Sequence, residues 1–174
     1  MRILVTKFNS TNQLGSSKKV IIVALLLLFM PFKGLSQNES IIISKSEFET
    51  GIAQNRNVIG KFKSYSKFLN PSIIIENNQV KANNNNPTCI YTDYASLSAI
   101  NGLITNKKNI EYVSVRIKNL ADISSIALTH FSNFKDLKYI HLIFEYEISN
   151  AEMQALIENP YIKCYIIYES REIM

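Results

Sequence analysis

The sequence has no tryptophan, two cysteines, two histidines, four prolines and five glycines among its 174 residues. The glycines are scattered, so no glycine-rich phosphate loop exists and a nucleotide-cofactor enzyme is disfavoured. His130 and His141 lack the spacing of a zinc site, as do Cys89 and Cys164, and neither a metal nor a cofactor is expected. Acidic residues are missing altogether from Met1–Ser36, which carries Arg2, Lys7, Lys18, Lys19 and Lys33.

That leader also holds the longest apolar run, Val20–Met30, directly after the lysine pair. Its eleven residues fall short of the roughly 18 to 20 needed to span a membrane, and Pro31 would break a longer helix. Gly34 and Ser36 flank Leu35, so basic, apolar and small regions follow one another in the order of a secretory signal, with cleavage before Gln37. The expected destination is periplasmic or extracellular, with no membrane attachment after cleavage. The whole chain has 19 Lys+Arg against 14 Asp+Glu, but the leader holds 5 of the basic residues, leaving 14 against 14. A neutral domain gives no support to nucleic-acid binding, which needs a basic patch.

The remaining 138 residues suffice for one domain, read as an N-terminal α+β cap over 37–87 and an α/β region over 88–174. In the cap, Ile41-Ile42-Ile43 is a short apolar run, and Ser46-Lys-Ser-Glu49 has capping-box spacing for a helix carrying Phe48, Ile52 and Ala53. Gly51 and Asn55-Arg56-Asn57 shorten that helix. Pro71–Ile75 reads as a strand, Glu76–Gln79 as a turn and Val80–Ala82 as the returning strand. Asn83–Asn86, ended by Pro87, is an exposed loop whose asparagines look like compositional bias.

From Thr88 strands and helices alternate. Cys89–Tyr91 is a candidate strand, and Asp93 can cap a helix bearing Leu97, Ile100 and Leu103. Glu111–Ile117, Lys138–Glu145 and Lys163–Tyr168 read as further strands. Asn119 and Asp122 are expected to open a helix through Ile123, Ile126, Ala127 and His130. Ser149-Asn-Ala-Glu152 is a second capping box, and Pro160 stops the helix that follows it. Strands alternating with helices favour a parallel sheet.

One pattern recurs in this region. Ile110-x-x-Val113-x-Val115 matches Leu137-x-x-Ile140-x-Leu142 and Ile162-x-x-Tyr165-x-Ile167, at offsets of 27 and 25 residues. Lead-ins precede the copies at Ile104-x-x-Lys107, Phe131-x-x-Phe134 and Leu156-x-x-Asn159. Over Thr88–Glu169 the chain resembles a leucine-rich repeat protein of the longer, helix-containing type. The resemblance implies a short stack of parallel strands and helices in chain order. It departs from the family after the strands, where Lys118 and Glu145 stand in place of the usual asparagine.

Side-chain alternation divides the strands between two faces. By this alignment Val113, Val115, Ile140, Leu142, Tyr165 and Ile167 form the core beneath the helices. The other face displays Tyr112, Ser114, Arg116, Tyr139, His141, Ile143, Cys164, Ile166 and Tyr168. Tyrosines with arginine and histidine are enriched at recognition hot spots, which makes Tyr112, Ser114, Arg116, Tyr139, His141 and Tyr168 the candidate binding residues. The alternative is that the cap covers this face and the tyrosines are core.

The reading is an exported interaction or ligand-binding module without catalytic activity, its partner another protein or a glycan. The competing reading is a small hydrolase using His141 and Cys164, placed on one face by the repeat alignment. The strand Ile162–Tyr168 would leave an unpaired edge for a homodimer, unless the cap pairs with it. Cys89 and Cys164 are expected to stay reduced. Three strand steps of about 4.8 Å separate them by roughly 14 Å, whereas a disulfide needs Cα atoms within about 7 Å. Their side chains should also point oppositely, Cys89 aligning with inward Val113 and Cys164 with outward Tyr139.

Overall fold

The computed structural model describes residues 40–51, 56–67, 70–158 and 162–171, all within the unit Asn38–Met174. The leader with its cleavage point before Gln37, the helical residues Ile52 and Ala53, Asn55, and the Asn159-Pro160 stop lie outside the described residues. The protein is α/β, with a mostly parallel seven-stranded sheet and four α-helices among the described residues.

The sheet grows in chain order from one edge. β2 (Ser72–Glu76) pairs in parallel with β4 (Cys89–Asp93), then come β5 (Tyr112–Ile117), β7 (Tyr139–Phe144) and β9 (Tyr165–Ser170). β3 (Gln79–Asn83) returns antiparallel on β2 through the expected Glu76–Gln79 turn. Asn77 and Asn78 supply φ values of 51° and 60° there, the left-handed pair that a tight hairpin requires. At the far edge β1 (Ile41–Ser44) lies parallel to β9, pairing Ile41 with Tyr165 and Ser44 with Tyr168. The edge expected to be free for a homodimer is therefore occupied by the cap itself.

The three central strands are buried on both faces, which accounts for their nearly continuous apolar character. On one face pack the connections between strands. They include the 3₁₀ turn Tyr94–Ala99, α3 (Ile100–Leu103) and α4 (Asn150–Leu156), contributing Leu97, Ile100, Met153 and Leu156 to a core with Val113, Val115, Ile140 and Leu142. Two of the caps read from the sequence are made here: Asp93 accepts from Ser96 N–H, and Ser149 with Glu152 completes a capping box. Lys107 caps differently, its ammonium donating to the Asn101 and Ile104 carbonyls at 2.8 and 2.7 Å.

The helix expected from Asn119 to His130 does not form. Its place is taken by a 3₁₀ turn at Leu120–Asp122, the two-residue strand β6 (Ile126–Ala127) and a second 3₁₀ turn at Leu128–Phe131. Ser124, Ser125 and Thr129 compete with helical hydrogen bonds, and Ile123 and Ile126 are β-branched. β6 pairs with β8 (Ile157–Glu158) in a small parallel ladder.

The opposite face is covered by the N-terminal helices. α1 (Lys45–Gly51) and α2 (Arg56–Ser66) contribute Phe48, Phe62 and Tyr65 to a second core with Cys89, Tyr91, Tyr112, Tyr139 and Ile167. Phe48 and Phe62 are fully buried, each such burial contributing about 1.5–3 kcal/mol. The box opening α1 is Ser44 with Glu47, two residues before the expected Ser46–Glu49 pair.

The third copy of the sequence pattern is one residue out of the expected register. Tyr165 pairs with Tyr139, not Ile140, and Ile166 with Ile140. An additional residue between Ile162 and the strand is absorbed in a tight turn, closed by Cys164 N–H donating to the Ile162 carbonyl at 2.9 Å. A one-residue slip inverts every side chain. Tyr165 and Ile167 therefore face the cap helices, while Cys164, Ile166 and Tyr168 face the connections. Cys89 is inverted too, since it pairs with Tyr112. The two cysteines still lie on opposite faces, three strands apart, and both are free and buried.

Candidate functional site

Tyr112, Ser114, Tyr139 and His141 do share a face, at 1, 5, 3 and 1 % exposure. They are sealed beneath the cap, so this face is interior. Tyr168 belongs to the other side of the sheet. Arg116 alone of the six candidates is exposed, at the carboxyl end of β5, where it is paired with Glu145.

The tyrosines serve as anchors for the cap. Tyr91 Oη donates to the Tyr65 carbonyl at 2.6 Å, and Tyr139 Oη to the Val58 carbonyl at 3.1 Å. Glu111 ties α2 down through Tyr65 Oη at 2.6 Å and Lys61 Nζ at 2.5 Å, and also meets Lys138 Nζ, just before β7, at 3.0 Å. Burial pushes the Glu111 carboxyl up, but Lys61, Tyr65 and Lys138 outweigh it and hold it at about 2.

His141 lies at the centre of this layer, its ring 5.1 Å from that of Phe62. Tyr112 Oη is 2.7 Å from His141 Nδ1, and Glu169 Oε1 is 3.3 Å from His141 Nε2. A carboxylate opposite Nε2 assigns the proton to that nitrogen, leaving Nδ1 to accept from Tyr112. The Nε2–H is close to Glu169 but off the line of a hydrogen bond, so it counts as an unsatisfied buried donor. Burial depresses the imidazole pKa against the opposing pull of Glu169, and His141 is neutral in the fold.

Glu169 carries this buried chain to the surface. Its Oε2 meets Lys45 Nζ at 2.6 Å, and its Oε1 accepts from Arg171 Nη2 and Nε at 2.6 and 2.9 Å. Burial raises the Glu169 pKa, yet His141 and Lys45 hold it at about 2. The order hydroxyl, imidazole, carboxylate has the connectivity of a nucleophilic triad. Here Tyr112 is buried, its ring packed among those of Phe62, Tyr65 and Tyr91. His141 does not meet Cys164. The thiol faces the connections on the other side of the sheet, and burial raises its pKa to about 11.

Outside Glu169 lies an open groove of about 540 Å³ at the carboxyl ends of β1 and β9. α1 leaves β1 toward one face of the sheet, whereas α4 lies on the other. Ser44, Lys45 and Glu49 line one wall, and Glu169, Ser170 and Asn150 line much of the rest, with Ile148 and Tyr168 adding apolar surface. Sequence reasoning passed over Lys45 and Glu169, although Glu169 continues the alternation Tyr165, Ile167 on the histidine's face.

Among the described residues no cluster of His, Cys, Asp or Glu has the makings of a metal site, and no helix is long and apolar enough to cross a membrane. No protein-family model matches the chain, and no curated protein or solved structure matches it.

Proposed function

We propose that the chain is an exported, non-catalytic binding module built as a short leucine-rich-repeat-like stack with an N-terminal cap. Consecutive strands in chain order, with the repeat connections packed on one face, support the repeat reading. The leader's basic, apolar and small regions support export. The tyrosine face is taken by the cap, which moves recognition to the groove between β1 and β9.

That groove carries the functional reading. It combines an ammonium at Lys45, carboxylates at Glu49 and Glu169, and hydroxyls at Ser44 and Ser170. Charges of both signs suit a small zwitterion, such as an amino acid or a short peptide presenting its end. The ligand carboxylate would draw on Lys45 and its ammonium on the carboxylates. NMR titration of the exported protein with a pool of amino acids and dipeptides tests this. Saturable shifts of the Ser44–Ser46 and Tyr168–Ser170 amides are expected. A pool that leaves both segments unmoved would rule the groove out.

A further inference from the structure

A second recess lies at the other edge of the sheet and has a different chemistry. Asn83 ends β3, and Asn84, Asn85 and Asn86 lead on to a buried Pro87. The backbone of this loop is fixed. Asn84 N–H donates to the Ser72 carbonyl at 3.0 Å, and Thr88 N–H to the Pro71 carbonyl at 2.9 Å. Asn86 holds φ at 50°, a left-handed conformation that asparagine tolerates better than most residues.

The side chains contrast with that backbone. All four asparagines are exposed, and among the described residues none of their carboxamides has a hydrogen-bond partner. With Asn106 they line a single cleft of about 220 Å³. Asn106 Oδ1 accepts from Lys108 N–H at 3.1 Å, which leaves its amide donors free. The apolar surface of the cleft comes mainly from Val80, 40 % exposed, with Ile73 and Ile104 nearly buried at its base. None of its lining residues is charged.

We infer that this cleft is a binding site for a neutral carbohydrate. A carboxamide offers two donors and an acceptor without charge, so it can give to one sugar hydroxyl while accepting from its neighbour. Five of them on one fixed loop system answer the dense, direction-rich hydroxyls of a sugar ring. The aliphatic groups can lie against its C–H face. The lining offers no cation to a phosphate or carboxylate, and no anion to an amine. Pockets for drug-sized ligands run to roughly 300–1,000 Å³, so this smaller cleft suits one ring. The site is independent of the groove at β1 and β9, on the opposite edge of the sheet.

The test is NMR titration of the exported protein with glucose, galactose, mannose and N-acetylglucosamine, and separately with glucuronate and an uncharged, end-blocked tripeptide. At least one neutral sugar should shift the side-chain amide signals of Asn83–Asn86 and Asn106 saturably, and more tightly than glucuronate. The exposed double substitution Asn84→Ala/Asn85→Ala should weaken that sugar about tenfold or more, the loss expected of one or two hydrogen bonds. It should leave the backbone spectrum elsewhere intact. Lys45→Met, in the other groove, should leave sugar binding unchanged. No saturable response to any neutral sugar, a response to the tripeptide alone, or full affinity in the double variant would overturn the inference.

Discussion

Tyr112 and His141 sit side by side on neighbouring strands, with the Tyr112 hydroxyl 2.7 Å from His141 Nδ1. That contact leaves Nδ1 as the acceptor and the proton on Nε2, which lies 3.3 Å from Glu169 Oε1, and the histidine is buried where the N-terminal helices close over the sheet. Burial lowers the imidazole pKa, Glu169 opposes it, and Lys45 and Arg171 beyond Glu169 add to the depression.

Stability should therefore fall in mild acid. An unfolded chain takes up a proton at this histidine below about pH 6.5, while the folded chain resists until lower pH because its pKa is depressed. The unfolded state binds more protons, so stability is retained above about 6.5 and lost as pH falls below it. Glu111 and Glu169, held at about 2, add a second loss below roughly pH 4.5. Urea unfolding from pH 8 to pH 5 should show the first loss, and His141→Phe should flatten it. An unchanged slope in the variant would contradict the assignment.

The cap should contribute strongly to stability. Phe62 is fully buried between α2 and the tyrosine layer, so Phe62→Ala should cost about 3–5 kcal/mol. Leu120, 47 % exposed, should tolerate alanine within about 0.5 kcal/mol. Equal effects of the two in urea unfolding would mean that α2 does not seal the sheet.

Cys89 and Cys164 should titrate as two free thiols in denatured, unreduced protein, and react slowly in the native state because both are buried. An intramolecular bridge found by peptide mapping would contradict the strand order β4-β5-β7-β9.

Mass spectrometry of the protein from its native host should find an N-terminus at or near Gln37. A mature chain retaining Met1 would end the export reading.

Much of the architecture was legible because strand alternation leaves a plain trace. The hairpin around Asn77-Asn78, the strand order from Cys89 onward, and the caps at Asp93 and Ser149 follow from local patterns. The register of the last strand did not. Tyr165, Ile166 and Ile167 suit either face, so the residue absorbed at Ile162–Cys164 left no mark in the spacing. Whether the tyrosine face is open or covered was undecided by the sequence, and the covered alternative is the one found. A tyrosine, a histidine and a serine in alternation fit an open recognition surface as well as an aromatic layer under Phe48 and Phe62. Asn119–His130 has the apolar period of a helix but does not form one, because its serines and β-branched residues outweigh that period. The Lys45–Glu169 pair joins residues 124 apart in sequence, a closeness created only when β1 docks on β9.

The central claim is that the groove beside that pair binds a ligand, and Lys45→Met tests it most directly. Calorimetric titration should use the amino acid or dipeptide that best shifts the groove amides, with far-UV spectra confirming that the variant stays folded. The account predicts at least about tenfold weaker binding, since the variant leaves the ligand carboxylate without its cation. A folded variant that binds with undiminished affinity would contradict it.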